Sequence, residues 1–250
     1  MFRDFGPSQG AVATDSGTPP PEPSPAKDEP VNKMRIWTMA EGRTFEAEFM
    51  TAIAGKVSLK NKKGKRLKLP ENQFCEEDRN FIQLEMPPQL DINFSKSTKQ
   101  RVFPFTLSQE IPRSSYFTFK AAIKKTSTKR YDQELTAEYF AIGGEFGGEK
   151  HILLDYRKEN FFLTKENKNQ FEFSGNPVEL IDYASNGQRL GKKYSGYLVV
   201  VTDACGKIIA HSASSKLLFK NLENLRTVPV RKYFDDTGIR SAPSRPKRWY

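Results

Sequence analysis

The sequence predicts a mostly-β chain: a small barrel over residues 34–86, then an antiparallel β-sandwich over residues 89–240 that carries one C-terminal helix. Three observations predict it. Thr44 to Ile53 alternates apolar and polar residues with the period of two that marks a half-buried strand. Lys56 to Leu69 holds two shorter alternating runs joined by a glycine-containing loop, the pattern of a hairpin. Beyond Met86-Pro87-Pro88, aromatic and β-branched runs recur at spacings of roughly 8 to 14 residues with Gly, Asn and Lys-rich turns between them, which favours a sandwich over a βαβ sheet.

The barrel elements follow in order. Arg35 to Met39 is the first strand and Glu41-Gly42 its turn. Thr44 to Ile53 then places Phe45, Ala47, Phe49 and Ile53 on one face and Glu46, Glu48 and Met50 on the other. Ala54-Gly55 forms a second turn. Lys56–Lys60 and Arg66–Leu69 point Val57, Leu59, Leu67 and Leu69 inward and their cations outward, with Asn61 to Gly64 as the loop between them. Pro70 stops the last strand because it has no N–H to donate. The unit is about fifty residues long, a size at which a modest core is just sufficient.

The letters of this unit resemble a known family. Arg35-x-Trp37-Thr38, Gly42, Phe45-x-Ala47-Glu48-Phe49, then Gly55-Lys56-Val57-x-Leu59-Lys60, Gly64-Lys65 with Pro70, and finally Glu77-Asp78 are similar to the Sla-one homology domain, type one. That resemblance implies an SH3-like fold and, by analogy with an endocytic adaptor that reads NPFxD peptides, a peptide-binding role; the module also recurs in bacterial proteins. The site residues it implies are Trp37 and Phe49 as aromatic walls and Lys60 and Lys65 as cations for an acidic ligand residue. Trp37 has a second reading, as the largest side chain of a tiny core. Lys60, Lys62, Lys63, Lys65 and Arg66 likewise read as a solvated hairpin tip. The family places Ser before the short final helix, where this chain has Cys75, a poor cap. Asp78 offsets part of that loss through the helix dipole, so the helix is expected to form and to fray.

In the second unit, Asp91–Phe94 and Val102–Phe105 are weak strand candidates and Tyr116–Ile123 is a strong one, with Phe117, Phe119, Ala121 and Ile123 on one face. Glu134–Ile142, Lys150–Tyr156, Asn160–Thr164, Gln170–Phe173 and Val178–Tyr183 follow. Tyr194–Thr202 and Lys207–Ser212 flank the turn Asp203–Gly206 as the clearest hairpin. Ser214 to Leu225 sets Leu217, Leu218, Leu222 and Leu225 at helical spacing, with Ser214 as cap and Pro229 beyond the end.

Charge and composition bound the function. Residues 1–33 form a Pro-rich tether with three Lys/Arg against five Asp/Glu, residues 34–86 hold ten against eight, and residues 87–250 hold twenty-seven against seventeen. The basic excess therefore sits in the second unit, and residues 241–250 form a basic tail. No run approaches the roughly 20 apolar residues of a membrane span. Met1 to Phe5 lack the basic start and apolar h-region of a secretory signal. The tether from Ser16 to Pro30 is nonetheless of the kind exported modular proteins carry behind a leader, so an exported protein with a removed or missed leader is compatible with the sequence.

Catalytic patterns do not assemble. Gly143 to Gly148 lacks the Gly-Lys-Ser/Thr of a phosphate loop and reads as a hairpin loop. Cys205 in a turn and His211 about five residues along a strand stand roughly 17 Å apart, beyond the reach of a nucleophile and its base. Cys75, His151, Cys205 and His211 show none of the paired spacing of a zinc site, and there is no G-x-S-x-G elbow. Asp155, Glu172, Glu179 and Asp182 are ordinary acids on strands or turns. The reading these observations carry is a non-enzymatic binding protein without a cofactor, whose barrel binds a short peptide or protein partner. Two other classes stay open: a polysaccharide or peptide hydrolase with acids on the sandwich, and a nucleic-acid binder that uses the basic second unit.

Overall fold

The computed structural model describes residues 34–101 and 112–243. The tether, the strand candidate Val102–Phe105 and the tail from residue 244 lie outside the described residues. The first sheet is an antiparallel meander of β1 (Met34–Thr38), β2 (Thr44–Ile53), β3 (Lys56–Asn61) and β4 (Arg66–Pro70). A 3-10 turn at Glu71–Gln73 leads into helix α1 (Glu76–Glu85). The mostly-β class is as the sequence predicts, but the expected closure into a barrel is not made: β1 and β4 end the sheet without pairing. A single bridge between Met39 and Phe74 stands where closure would fall.

Trp37, Ala47, Ala52, Val57, Leu59, Phe74 and Ile82 form the core between this sheet and α1. One face assignment fails for a definite reason. The register runs Phe49 to Leu59 and then Thr51 to Ser58, so Met50 is an extra residue and the alternation flips. Ala52 is buried in consequence, and Ile53 is 69% exposed. The β2–β3 turn follows with Ala54 at φ +50° and Gly55 at φ +72°, the double positive φ of a type I′ hairpin.

The second sheet is a single path of hydrogen-bonded strands. It comprises β5 (Leu90–Arg101), β6 (Arg113–Lys125), β7 (Leu135–Glu145), β8 (His151–Phe161), β9 (Gln170–Ser174), β10 (Val178–Ser185), β11 (Gln188–Asp203), β12 (Ile208–Ala213), β13 (Tyr233–Phe234) and β14 (Arg240–Ser241). The order is β14-β13-β8-β7-β11-β10-β6-β5, with β12 added on β11 and β9 on β6. β11 serves both halves: Gln188–Gly191 pairs with β10, and from Lys192 onward the strand pairs with β7. The corner falls at Gly191, φ +102°, where a Cβ would lie 2.3 Å from the Ile181 carbonyl oxygen. Folded in this way the sheet is sandwich-like, and Phe119, Ile123, Tyr139, Leu154, Phe173, Leu180, Val199 and Val201 fill the space between its halves.

The opposite face of β7, β8 and β11 presents Phe140, Ile142, Leu153, Leu198 and Val200 to α2 (Lys216–Lys220) and α3 (Leu222–Thr227). One helix was expected over 214–225; two form, because the chain breaks at Asn221. The cap is Ser215, whose Oγ accepts the Leu217 N–H, since the Ser214 hydroxyl is engaged with the Tyr197 backbone. Arg226 of α3 reaches buried Glu138 at 2.9 Å, and Lys158 approaches the same carboxylate at 3.2 Å. The Asn160–Thr164 strand expectation is also revised: β8 continues through Phe161, and the chain then turns. The two sheets are fastened at α1, where Gln83 accepts the Asp132 N–H at 2.8 Å and Asn80 accepts from Gln133 at 2.9 Å.

A buried polar latch joins β7 to β8 beneath the β9–β10 connection. Tyr139 donates its hydroxyl to Asp155 at 2.5 Å, and burial pushes the Asp155 carboxyl up. The Gly175 backbone lies directly on this pair; a Cβ there would sit 1.7 Å from Asp155 Oδ2 and 2.2 Å from the Tyr139 hydroxyl. Gly175→Ala is therefore expected to destabilise the protein by about 2–4 kcal/mol, read from urea denaturation, because either the latch or the turn must move. Ala54→Asn is expected to act in the other direction, raising stability by about 0.5–1 kcal/mol in the same assay, since Asn tolerates the left-handed conformation that Ala adopts at a cost.

Candidate functional site

A groove of about 740 Å³ opens at the seam where the first sheet does not close. Met39, Phe45, Leu67 and Leu69 line it, with Glu41, Arg43, Asn72 and Gln73 around its rim. Each wall has a local cause. The strand alternation of β4 turns Leu67 and Leu69 inward while Arg66 and Lys68 stay exposed. Gly42, at φ +86°, turns the chain between β1 and β2, and the Arg43 carbonyl accepts the Met39 N–H at 2.8 Å. The Gln73 carbonyl takes the Ala40 N–H at 2.7 Å, so the 3-10 turn is bound to the end of β1. On the rim, Arg43 and Glu41 form an exposed ion pair at 2.7 Å.

Asp78 ties α1 to β1 one residue before the groove residue Met39. Its carboxylate, 2% exposed, accepts the Thr38 N–H at 2.6 Å and the Arg35 guanidinium at 2.6 and 3.1 Å. The guanidinium lies over Phe81 at 4.1 Å and over Trp37 at 5.5 Å. The Cys75 N–H also donates to the Thr38 carbonyl, so the start of α1 and the end of β1 are held together immediately beside Met39. Cys75 itself makes no side-chain cap, as its chemistry implies.

The four residues singled out from the sequence do not line the groove. Trp37 has no exposed surface; its indole N–H donates to the Ala47 carbonyl at 2.9 Å and its ring packs edge-on against Phe74 and Phe81. It is a core residue here, not an exposed wall. Phe49 is half-buried and packs on Trp37 and Phe81. Lys60 is exposed in register with Glu48 and Arg66, and Lys65 is exposed at the hairpin tip, where its N–H donates to Asn61 Oδ1. The groove residues Phe45, Leu67 and Leu69 were legible as inward-facing, but alternation says nothing about whether the space they face is filled.

The candidate acids of the second sheet are each engaged. Glu172 pairs with Lys120 at 2.5 Å, Glu179 accepts from Ser114 and Tyr116, and Asp182 holds Arg189 at 2.6 Å. His151 pairs with Asp236 at 2.9 Å beside a second cavity of about 230 Å³ under α2 and α3. His211 stacks on Phe219, and Cys205 is exposed in its turn. Among the described residues no three metal-ligating side chains cluster, and no helix is long and apolar enough to cross a membrane.

Residues 25–88 match the model of the family SLA1 homology domain 1, SHD1, the family their motifs indicate and one of interaction modules. A crystal structure of a protein from Akkermansia muciniphila is similar at 18% identity, covering 57% of this chain and 78% of that one with a TM-score of 0.23. No curated protein matches the chain. Asp78→Ala removes the acceptor shared by Arg35 and Thr38 and is expected to cost roughly 2–4 kcal/mol, with loss of α1 signals in circular dichroism before the second sheet melts.

Proposed function

We propose that the protein is a non-enzymatic interaction protein whose unit over residues 34–86 docks a short peptide in the open seam of its sheet. The unit over residues 89–240 acts as its scaffold, with residues 1–33 as tether and 241–250 as tail. One observation carries the reading: a groove with Met39, Phe45, Leu67 and Leu69 along its walls and a polar rim lies within the segment that matches an interaction family. Its shape suits one aromatic or aliphatic anchor, and its rim supplies Asn72 and Gln73 as hydrogen-bonding groups for the peptide backbone. The cations Lys60 and Lys65, exposed on β3 and at the hairpin tip outside the groove, are candidates for an acidic residue that flanks the anchor. Trp37 and Phe49 contribute by keeping the floor of the unit rigid.

An NPFxD-type peptide titrated into the isotope-labelled full chain is expected to shift the amide resonances of Met39, Phe45, Leu67 and Leu69. Leu67→Lys, which puts a charge in the groove, is expected to weaken binding by roughly 10-fold or more, in line with about 1.5–3 kcal/mol for one buried apolar side chain. A spectrum that never moves at millimolar peptide removes the peptide reading.

A further inference from the structure

Beside the groove, β4 presents a backbone edge that no strand takes up. The phase of the β3–β4 ladder is fixed at both ends: the Asn61 N–H donates to the Lys65 carbonyl at 3.0 Å, and the Glu71 N–H donates to the Gly55 carbonyl at 2.8 Å. Residues two apart on an antiparallel strand turn their backbone groups the same way, so Leu67 and Leu69, between those ends, also bond to β3. Arg66, Lys68 and Pro70 therefore turn theirs to the open side. Among the described residues β4 pairs with β3 alone, and Pro70 stands where β3 asks for no N–H.

Side chains add a charge pattern to that edge. Leu67 and Leu69 line the groove, whereas Arg66 and Lys68 are exposed on the outer face. Across the sheet Arg66 stands opposite Lys60, and Lys60 opposite Glu48. Like charges directly opposite one another are unfavourable, and the sheet supplies an acid on only one side of this pair. The geometry points to strand addition on β4 as the way the groove takes its ligand, with an extended peptide of the pattern acid, apolar, acid as the partner. This rests on the peptide reading above and goes further by naming the edge that binds and the sequence it selects. The central apolar side chain, opposite Leu67, enters the groove; the flanking acids stand opposite Arg66 and Lys68, whose N–H and carbonyl groups gain ladder partners. Neither residues 1–33, 102–111 nor 244–250 contain two acids separated by one residue, so no segment of this chain outside the described residues carries the pattern. A second copy fits less well, because it brings the same cations to the same edge.

The test is NMR on the isotope-labelled full chain with a capped Thr-Glu-Phe-Glu-Thr peptide, reading amide shifts and hydrogen exchange together. Binding is expected to slow exchange of the Arg66 and Lys68 amides by about 10-fold or more, as their protons enter a ladder, and to shift Leu67 and Leu69. Replacing both peptide glutamates by glutamine is expected to weaken binding roughly 3- to 10-fold. Arg66→Gln combined with Lys68→Gln, both exposed, is expected to bind the two peptides alike. Shifts at Leu67 and Leu69 with unchanged exchange at Arg66 and Lys68 would overturn strand addition while leaving peptide docking in the groove intact. Equal binding of both peptides by the parent would overturn the acidic pattern, and slow exchange of both amides before peptide is added would show the edge already occupied and overturn the proposal. If neither this peptide nor an NPFxD-type one moves any of these resonances, both readings fall together.

Discussion

A single buried carboxylate organises the first unit. Asp78 gathers the Arg35 guanidinium and the Thr38 N–H onto one group that water does not reach, and a charge so placed is tolerated only while its partners remain. Because those partners sit on β1 while Asp78 sits on α1, helix and sheet cannot drift apart without stranding the charge. The aromatic cluster of Trp37, Phe49, Phe74 and Phe81 then packs in a space whose walls are already set. The open seam, and with it the groove, is the remainder left when a four-stranded sheet is pinned from one side by a helix instead of closing on itself.

The second unit solves a different problem. A long sheet must bury two faces, and this one bends at Gly191 so that one face closes on itself while the other is covered by α2 and α3. The bend needs a backbone that an L side chain rarely adopts and a carbonyl at a distance that no Cβ permits. Buried carboxylates lie beneath segments without long strands: Asp155 under the Gly175 backbone, and Glu138 paired with Arg226 of α3. Both carboxylates are engaged in structural contacts, Asp155 with Tyr139 and Glu138 with Arg226.

How much was legible follows from which signal each feature has. The bounds of β2 were readable to the residue and those of the hairpin after it to within one, because alternation and Gly turns are local. Ile53 was assigned to the wrong face because a bulge is invisible to a period count; the single inserted Met50 inverts everything downstream of it. β13 and β14, two residues each, are too short to carry any period, and the break at Asn221 comes from contacts that no helical spacing reveals. The groove was missed for a related reason. Sequence shows that Leu67 and Leu69 face inward but not that β1 fails to meet β4, and Trp37 attracts notice because of its size although size is what draws it into the core.

The outer strand β5 raises the matter of self-association. It ends the sheet path, and its seven residues from Ser95 to Arg101 are all exposed. A strand at the end of a sheet is a template on which a neighbouring molecule would add its own backbone. Lys96, Lys99 and Arg101 place cations along the strand, the device by which an edge discourages rim-to-rim addition of a second copy.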